Sequence, residues 1–244
     1  MLQRKTIVYS NVSMELNKIY NIDCLEGLRQ LDDESVDLII TSPPYNLGKS
    51  HHTGNNHFKA YTDYDDNMPE ELYQKWQIEI LNECFRVLKK DGSMWYNHKN
   101  RIKNGQQIEP YRWLYHTPFI IKQEIVWQNG SQNFDKCRIY PMTERVYWLT
   151  KDAKTKLINA INHHDIFTRA DWQPVKTKGV FKRAYPEKMV EDIINCFPSS
   201  KVVLDPFSGS GTTCFVAKKM SRDYIGFELS EEYCNIADER LKSC

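Results

Sequence analysis

The chain reads as an α/β fold built on a mostly parallel sheet, and three observations predict it. Short apolar runs recur between amphipathic stretches, the alternation of strands with covering helices. "VDLIIT" (36–41) is a strand of the near-continuous apolar kind found where both sheet faces are covered. "KVVLDPFSGSGTT" (201–213) runs from a strand through a turn holding Gly209 and Gly211 into the start of a helix.

After the strand at 36–41, residues 69–90 read as a helix. Leu72, Trp76, Ile80, Leu81, Phe85 and Leu88 recur at three- and four-residue intervals. Pro69 stands at its start, and "KKDG" closes it with lysines in the last turn and Gly92 as the stop. "SMWYNH" (93–98), "FIIKQEIVWQ" (119–128) and "ERVYWLTK" (144–151) read as the next strands. "EKMVEDIINCF" (187–197) is a helix, "KVVLDPF" (201–207) a strand, "GTTCFVAKKM" (211–220) a helix and "DYIGFEL" (223–229) a strand. "EEYCNIADERLK" (231–242) is the last helix.

A chain of 244 residues buries one large core or two modest ones. With 41% hydrophobic and 27% charged residues it has the composition of a soluble globular protein. No apolar run approaches the roughly 20 residues that span a bilayer, so no membrane partner is expected. The seven cysteines form no metal-like spacing and no disulfide framework, which predicts reduced thiols and a cytoplasmic location.

Two segments break the alternation. Residues 46–68 are polar and follow directly on a proline pair. Residues 150–183 lie within a basic stretch: from 136 to 183, eleven basic residues face four acids, a local excess of +7 that suits a polyanion. The formal net charge of +1 hides this.

The glycine turn carries the first chemical signal. Helix-terminal amides beside it favour an anionic group, and Glu228 lies about 20 residues further on, where a carboxylate can accept both ribose hydroxyls. The third glycine of a dinucleotide fingerprint is absent, because Phe215 and Val216 follow. No lysine follows Gly211, which argues against a triphosphate loop. S-adenosylmethionine, a nucleoside with a carboxylate tail, fits better than NAD or ATP.

The second signal is "TSPPY" (41–45) at the end of the first confident strand. Consecutive prolines fix two φ angles and aim the carbonyl between them. Together, TSPPY and DPFSGSGTT resemble the catalytic and cofactor motifs of the DNA amino-methyltransferases. Their order, proline motif first, resembles the permuted β class of that family. The resemblance covers most of residues 17–242, including "NIDCLEGLRQL", "LKKDGSMWYNH", "RIYPMTERVYWLTK" and "RAYPEKMVEDII". The chain departs from it at Ala184-Tyr185-Pro186, where the family often has His-Pro.

This resemblance implies a Rossmann-like, S-adenosylmethionine-dependent methyltransferase sheet, circularly permuted and mostly parallel with one antiparallel strand. It implies an N-terminal extension at 1–16, a catalytic half at 17–149, a small target-recognition insertion at 150–183 and a cofactor half at 184–244. Asp23, Asp205, Phe207, Gly209, Gly211, Thr212 and Glu228 would meet the cofactor. Ser42, Pro43, Pro44 and Tyr45 would be catalytic: the position-42 oxygen and the Pro43 carbonyl accept the amine protons, and Tyr45 stacks on a base flipped out of double-stranded DNA. Lys49, Lys59, Arg138, Lys176 and Lys178 would meet DNA phosphates. No strong general base and no metal is required, since a methylated amine loses its proton readily. The "HHTGNNH" run (51–57) reads as loop rather than metal cluster.

Within the family, Ser before the prolines usually accompanies N4 of cytosine, and Asp or Asn accompanies N6 of adenine. Ser42 therefore favours cytosine, with adenine as the alternative and a non-catalytic DNA-binding subunit as the remote one. The family works in restriction–modification systems, beside a cognate endonuclease, or alone. The shortness of 150–183 raises a homodimer as one way to share the reading of a site.

Overall fold

The computed structural model describes residues 14–48, 66–130, 138–139, 141–159, 164–172 and 184–244. Its elements run β1 (Lys18–Asn21), α1 (Cys24–Arg29), β2 (Val36–Thr41), α2 (Glu70–Val87), β3 (Leu88–His98), β4 (Arg101–Lys103), β5 (Gln106–Ile108) and α3 (Tyr111–Leu114). They continue with β6 (Ile120–Trp127), β7 (Glu144–Thr150), β8 (Ile166–Phe167), α4 (Glu187–Cys196), β9 (Val202–Asp205), α5 (Thr212–Lys219), β10 (Asp223–Glu228) and α6 (Glu231–Lys242).

Eight strands form one sheet in the order β1-β10-β9-β2-β3-β7-β6-β8, with β4 and β5 as a separate hairpin. Every pairing in the large sheet is parallel except those of β7, which runs antiparallel to both neighbours. The sheet is thus mostly parallel with one reversed strand. The strand leading to the glycine turn, β9, comes late in the chain yet pairs directly with β2, the strand leading to TSPPY. That adjacency is the permutation in physical form.

Helices cover both faces because successive strand residues point to opposite sides. Leu38, Ile40, Trp95, Val146, Trp148 and Val203 pack with α4, α5 and α6 in one core. Ile39, Met94, Tyr96, Tyr147, Leu149 and Leu204 pack with α1, α2 and α3 in the other. The uninterrupted apolar runs of β2 and β9 follow from this double burial.

Two details of 69–92 differ from the sequence expectation. The helix ends at Val87, and Leu88 turns extended to open β3, so "KKDG" belongs to the strand. Leu88 faces Val36 but Ser93 faces Leu38, so residues 89–92 form an irregularity in the pairing. Gly92 is required there because a Cβ would lie 2.8 Å from the Asp37 carbonyl oxygen. The buried stripe of α2 is Tyr73, Gln77, Ile80, Leu81, Cys84 and Val87, whereas Leu72 is 55% exposed. A polar Gln77 sits in that stripe because Tyr73 and Tyr96 satisfy its amide.

Part of the 150–183 segment is built into the sheet. β8 extends it beside β6, and Phe167 stacks on the buried Trp172 at 3.8 Å between centroids. Trp172 donates to Asp192 of α4 at 3.0 Å, fixing this edge to the helical layer. The six cysteines among the described residues are free, and no described helix is long and apolar enough to cross a membrane.

Candidate active site

The C-terminal ends of β1, β10, β9, β2 and β3 share one sheet edge, where open α/β sheets bind ligands. Because β7 runs the other way, its first residue, Glu144, reaches the same edge opposite β3. Thr41 closes β2, and residues 42–45 leave the sheet between the ends of β9 and β3.

Ser42 and Tyr45 meet there, Oγ to hydroxyl at 2.7 Å. The Tyr45 hydroxyl also donates toward Asn97 Oδ1 at 2.9 Å and Glu144 Oε2 at 3.0 Å. Its ring lies against His98, 4.6 Å between centroids and tilted 41°. Asn97 Nδ2 donates to the Arg145 carbonyl at 3.1 Å, which fixes the amide with its oxygen toward Tyr45. Glu144 Oε1 accepts from Asn129 at 2.6 Å, and buried Lys99 supplies the nearest countercharge. Burial pushes the Glu144 carboxyl up, against the Lys99 ammonium and the hydrogen bonds. Burial and the Glu144 charge push the Tyr45 phenol well up as well, so it stays protonated.

Beneath the prolines lies a buried polar cluster. Tyr73 donates to the Pro44 carbonyl at 2.7 Å and lies 2.7 Å from His98 Nε2. His98 Nδ1 faces the Lys99 carbonyl at 2.8 Å, which requires the proton on Nδ1. Burial, then the nearby Arg101 charge, lowers His98 to about 3, so the ring is neutral. Arg101 is itself buried, doubly bonded to Glu70 at 2.9 and 2.7 Å and stacked over Tyr73. The Pro43 carbonyl accepts no hydrogen bond from the described residues.

On the other side of β9 stands the glycine turn. Gly209 and Gly211 both have positive φ, 50° and 76°. A Cβ on Gly211 would lie 2.8 Å from Ala237 Cβ, so that glycine serves the packing of α6 on α5. A Cβ on Gly209 would meet nothing within 4 Å, so the turn is open on that side. Glu228 accepts from the Gly209 amide and the Ser230 amide, each at 2.8 Å. Burial raises its carboxyl, opposed by these two amides.

Asp23 lies two residues beyond Asn21, the β1 partner of Glu228, and its Oδ1 caps α1 through Leu25 at 2.9 Å and Glu26 at 3.3 Å. Asp23, Glu228 and the open turn therefore share one end of the sheet, as a nucleoside site of this kind requires. Half-buried Phe207 packs edge-on against Trp76 of α2 at 5.7 Å, bringing to this end of the sheet an aromatic that the sequence marked only as part of the helix periodicity.

Asp205 and Thr212, also expected at the cofactor, are tied to protein partners as well. Buried Asp205 accepts from Thr41 and Tyr185, each at 2.7 Å, and from the Phe207 amide at 3.0 Å. Tyr185, at the departure from His-Pro, thereby ties the 184–186 segment to β9 and, through Thr213, to α5. Thr212 Oγ1 accepts from Arg240 at 3.0 Å, leaving its backbone amide at the start of α5. Arg138 is exposed and reaches the Gly105 carbonyl at 3.4 Å. Lys49, Lys59, Lys176, Lys178 and the 51–57 histidine run lie outside the described residues. No cluster of metal-ligating side chains occurs among the described residues.

Asn97, His98, Lys99 and Glu144 complete the site without having been marked from the sequence. Their signal was positional: Asn97, His98 and Lys99 stand at the C-terminal end of β3, and Glu144 opens β7, whose reversal brings it to the same edge.

A family model described as DNA methylase, of the N6/N4 type, matches residues 36–239. The Type II methyltransferase M.HinfI of Haemophilus influenzae is 32% identical over 259 residues, spanning 95% of this chain and 70% of that protein. Among solved structures, the PvuII DNA methyltransferase (cytosine-N4-specific) matches with TM-score 0.73 at 23% identity, covering 91% of this chain and 85% of that one. A putative DNA modification methylase from Thermus thermophilus, complexed with S-adenosyl-L-methionine, matches with TM-score 0.67 at 21% identity, covering 93% of each chain. With the family matched across most of its length, the chain belongs to the N6/N4 DNA methylases, which take their methyl group from S-adenosyl-L-methionine.

Proposed function

We propose that the chain methylates the exocyclic N4 of cytosine in double-stranded DNA, with the target base flipped out to the edge formed by β2, β3 and β7. The observation that carries this reading is the state of the two acceptors. Ser42 can spend its proton on Tyr45, leaving its lone pairs outward, and the Pro43 carbonyl has no partner among the described residues. An exocyclic amine is a weak nucleophile because its lone pair is delocalised into the ring. Holding both its protons on fixed oxygens localises that pair and aims it at the methyl group.

S-adenosylmethionine supplies the methyl on a sulfonium that leaves as a neutral thioether. Glu228 would hold its ribose and Asp23 its adenine edge. The turn at Gly209 and Gly211, with the Thr212 amide, would hold its carboxylate end. Phe207 would line the pocket, and Asp205 would fix β9 against β2. Pro44 would stiffen the loop, and the Tyr45 ring would face the base. Arg138, Lys49, Lys59, Lys176 and Lys178 would meet phosphates, and a homodimer would double that basic surface. A restriction endonuclease partner is compatible with this activity.

Mass spectrometry of nucleosides from methylated DNA tests the reading. N4-methylcytosine is the expected product. N6-methyladenine would transfer the same acceptor geometry to adenine, and no methylated base at all would overturn both.

A further inference from the structure

The contacts around Tyr45 contain more oxygens than hydroxyl protons. Its hydroxyl touches Ser42 Oγ, Asn97 Oδ1 and Glu144 Oε2 at 2.7, 2.9 and 3.0 Å. Toward the Tyr45 hydroxyl Asn97 presents its carbonyl oxygen, and one of its amide protons goes to the Arg145 carbonyl. An ionised Glu144 can only accept. Three close contacts therefore share two protons, those of Ser42 and Tyr45. The third contact becomes a hydrogen bond when Glu144 gains a proton.

We propose that Ser42, Tyr45 and Glu144 form the route by which the target amine's proton leaves after methyl transfer, with Glu144 as the final acceptor. This rests on the reading of Ser42 as an acceptor for the amine. As the N–CH3 bond forms and the S–CH3 bond breaks, the nitrogen becomes cationic. Its proton passes to Ser42 Oγ, the Ser42 proton passes to the Tyr45 oxygen, and the Tyr45 proton passes to Glu144 Oε2. One positive charge disappears at nitrogen and one negative charge disappears at Glu144, while Ser42 and Tyr45 are regenerated. Tyr45 accepts one proton as it gives another, so no phenolate forms.

The surroundings suit that end point. Lys99, Tyr45, Asn97 and Asn129 are the groups that face Glu144. The neighbouring Arg145 side chain is drawn to Glu124 at 2.6 Å. Burial places the carboxyl above its ordinary range, so it takes up a proton readily, while Lys99 keeps an ionised fraction available beforehand. Glu144 acts through Tyr45 and is a positioning and proton-holding residue. Tyr45 consequently has two separable parts, a ring facing the base and a hydroxyl in the proton path.

Tyr45→Phe keeps the ring and removes the hydroxyl, and Glu144→Gln keeps the shape and removes the proton-accepting charge. Both are expected to leave the dissociation constants for S-adenosylmethionine and duplex DNA unchanged while slowing single-turnover methylation by about tenfold or more. The wild-type rate should fall as pH drops through the Glu144 pKa, and that acidic limb should vanish in Glu144→Gln. Wild-type rates in both variants, or an acidic limb that persists in Glu144→Gln, would overturn the relay. Ser42→Ala separates the two readings: an active Ser42→Ala removes the acceptor assignment itself. An inactive Ser42→Ala beside fully active Tyr45→Phe and Glu144→Gln removes the relay alone.

Discussion

The Tyr73 hydroxyl, on helix α2, donates to the carbonyl of Pro44 at 2.7 Å. The stiff dipeptide is thus held from below by a fully buried side chain as well as by its own rings. Gln77 donates to the same hydroxyl at 3.0 Å, and Tyr96 donates to Gln77 at 2.9 Å. Trp113 then donates to Tyr96 at 3.1 Å, extending the chain to α3.

Tyr73→Phe removes the junction of that chain: the Gln77 amide loses its acceptor, and the Pro44 carbonyl and His98 Nε2 lose the one hydroxyl proton they share. Unsatisfied buried polar groups cost about 1–3 kcal/mol each, so denaturant unfolding should show a loss of at least that order. The methylation rate should fall with it, while cofactor affinity stays close to wild type because the glycine turn lies across β9. An equal loss of cofactor affinity would show that Tyr73 serves general stability only.

His98 predicts an acid sensitivity with a definite sign. Its folded-state pKa is lowered to about 3 from 6.5, so the unfolded chain takes up this proton first. Its contribution is complete above about pH 6.5 and is lost as pH falls toward 3, at up to about 1.4 kcal/mol per pH unit. Glu144, Asp205 and Glu228, whose carboxyls are raised, act in the opposite sense. Comparison with His98→Gln isolates the histidine. The variant should be less stable near neutrality but should lose less stability between about pH 6.5 and pH 4. Parallel stability curves for the two proteins would refute the assignment.

The two glycines of the turn should fail in different ways. Gly211→Ala drives a Cβ into Ala237 at 2.8 Å in a left-handed conformation, and α5 and α6 must separate. Gly209→Ala adds only the left-handed penalty, roughly 1–2 kcal/mol, because its side faces open space. Thermal melts should therefore show the larger loss for Gly211→Ala. Calorimetric titration with S-adenosylmethionine should show the sharper loss of affinity, relative to stability, for Gly209→Ala.

What the sequence revealed, and what it concealed, follows from how local each signal is. β2, β9 and the glycine turn carry their information within a few residues, so the fold class and both motifs were legible. β1 is four residues with only Ile19 buried, and β8 is two residues whose existence depends on pairing with β6. Neither has a pattern of its own. The proton-holding side of the site was hidden for a related reason. Glu144 is 99 residues from Tyr45, and only the reversal of β7 brings it to the C-terminal edge of β2 and β3. Gly92 shows the converse, a residue with a familiar local meaning that a distant carbonyl, that of Asp37, redefines.

A last prediction concerns the neck where the chain leaves the proline motif at 46–48 and returns at 66–68. Asn46 has a left-handed backbone, φ 54°. Its side chain mimics a strand, accepting from the Met68 amide at 2.7 Å and donating to the Met68 carbonyl at 3.0 Å. The Asp66 carboxylate accepts from the Asn46 and Leu47 amides at 2.7 and 3.3 Å, and its carbonyl accepts from Gly48 at 2.7 Å. Asn46→Gly keeps the backbone conformation and deletes the side-chain clamp, whereas Asn46→Ala loses both. Asn46→Ala should therefore be the less stable, by about 1–2 kcal/mol from the left-handed strain. Both should slow methylation, because the clamp stands next to Tyr45. If Asn46→Gly methylates at the wild-type rate, the clamp does not position the motif.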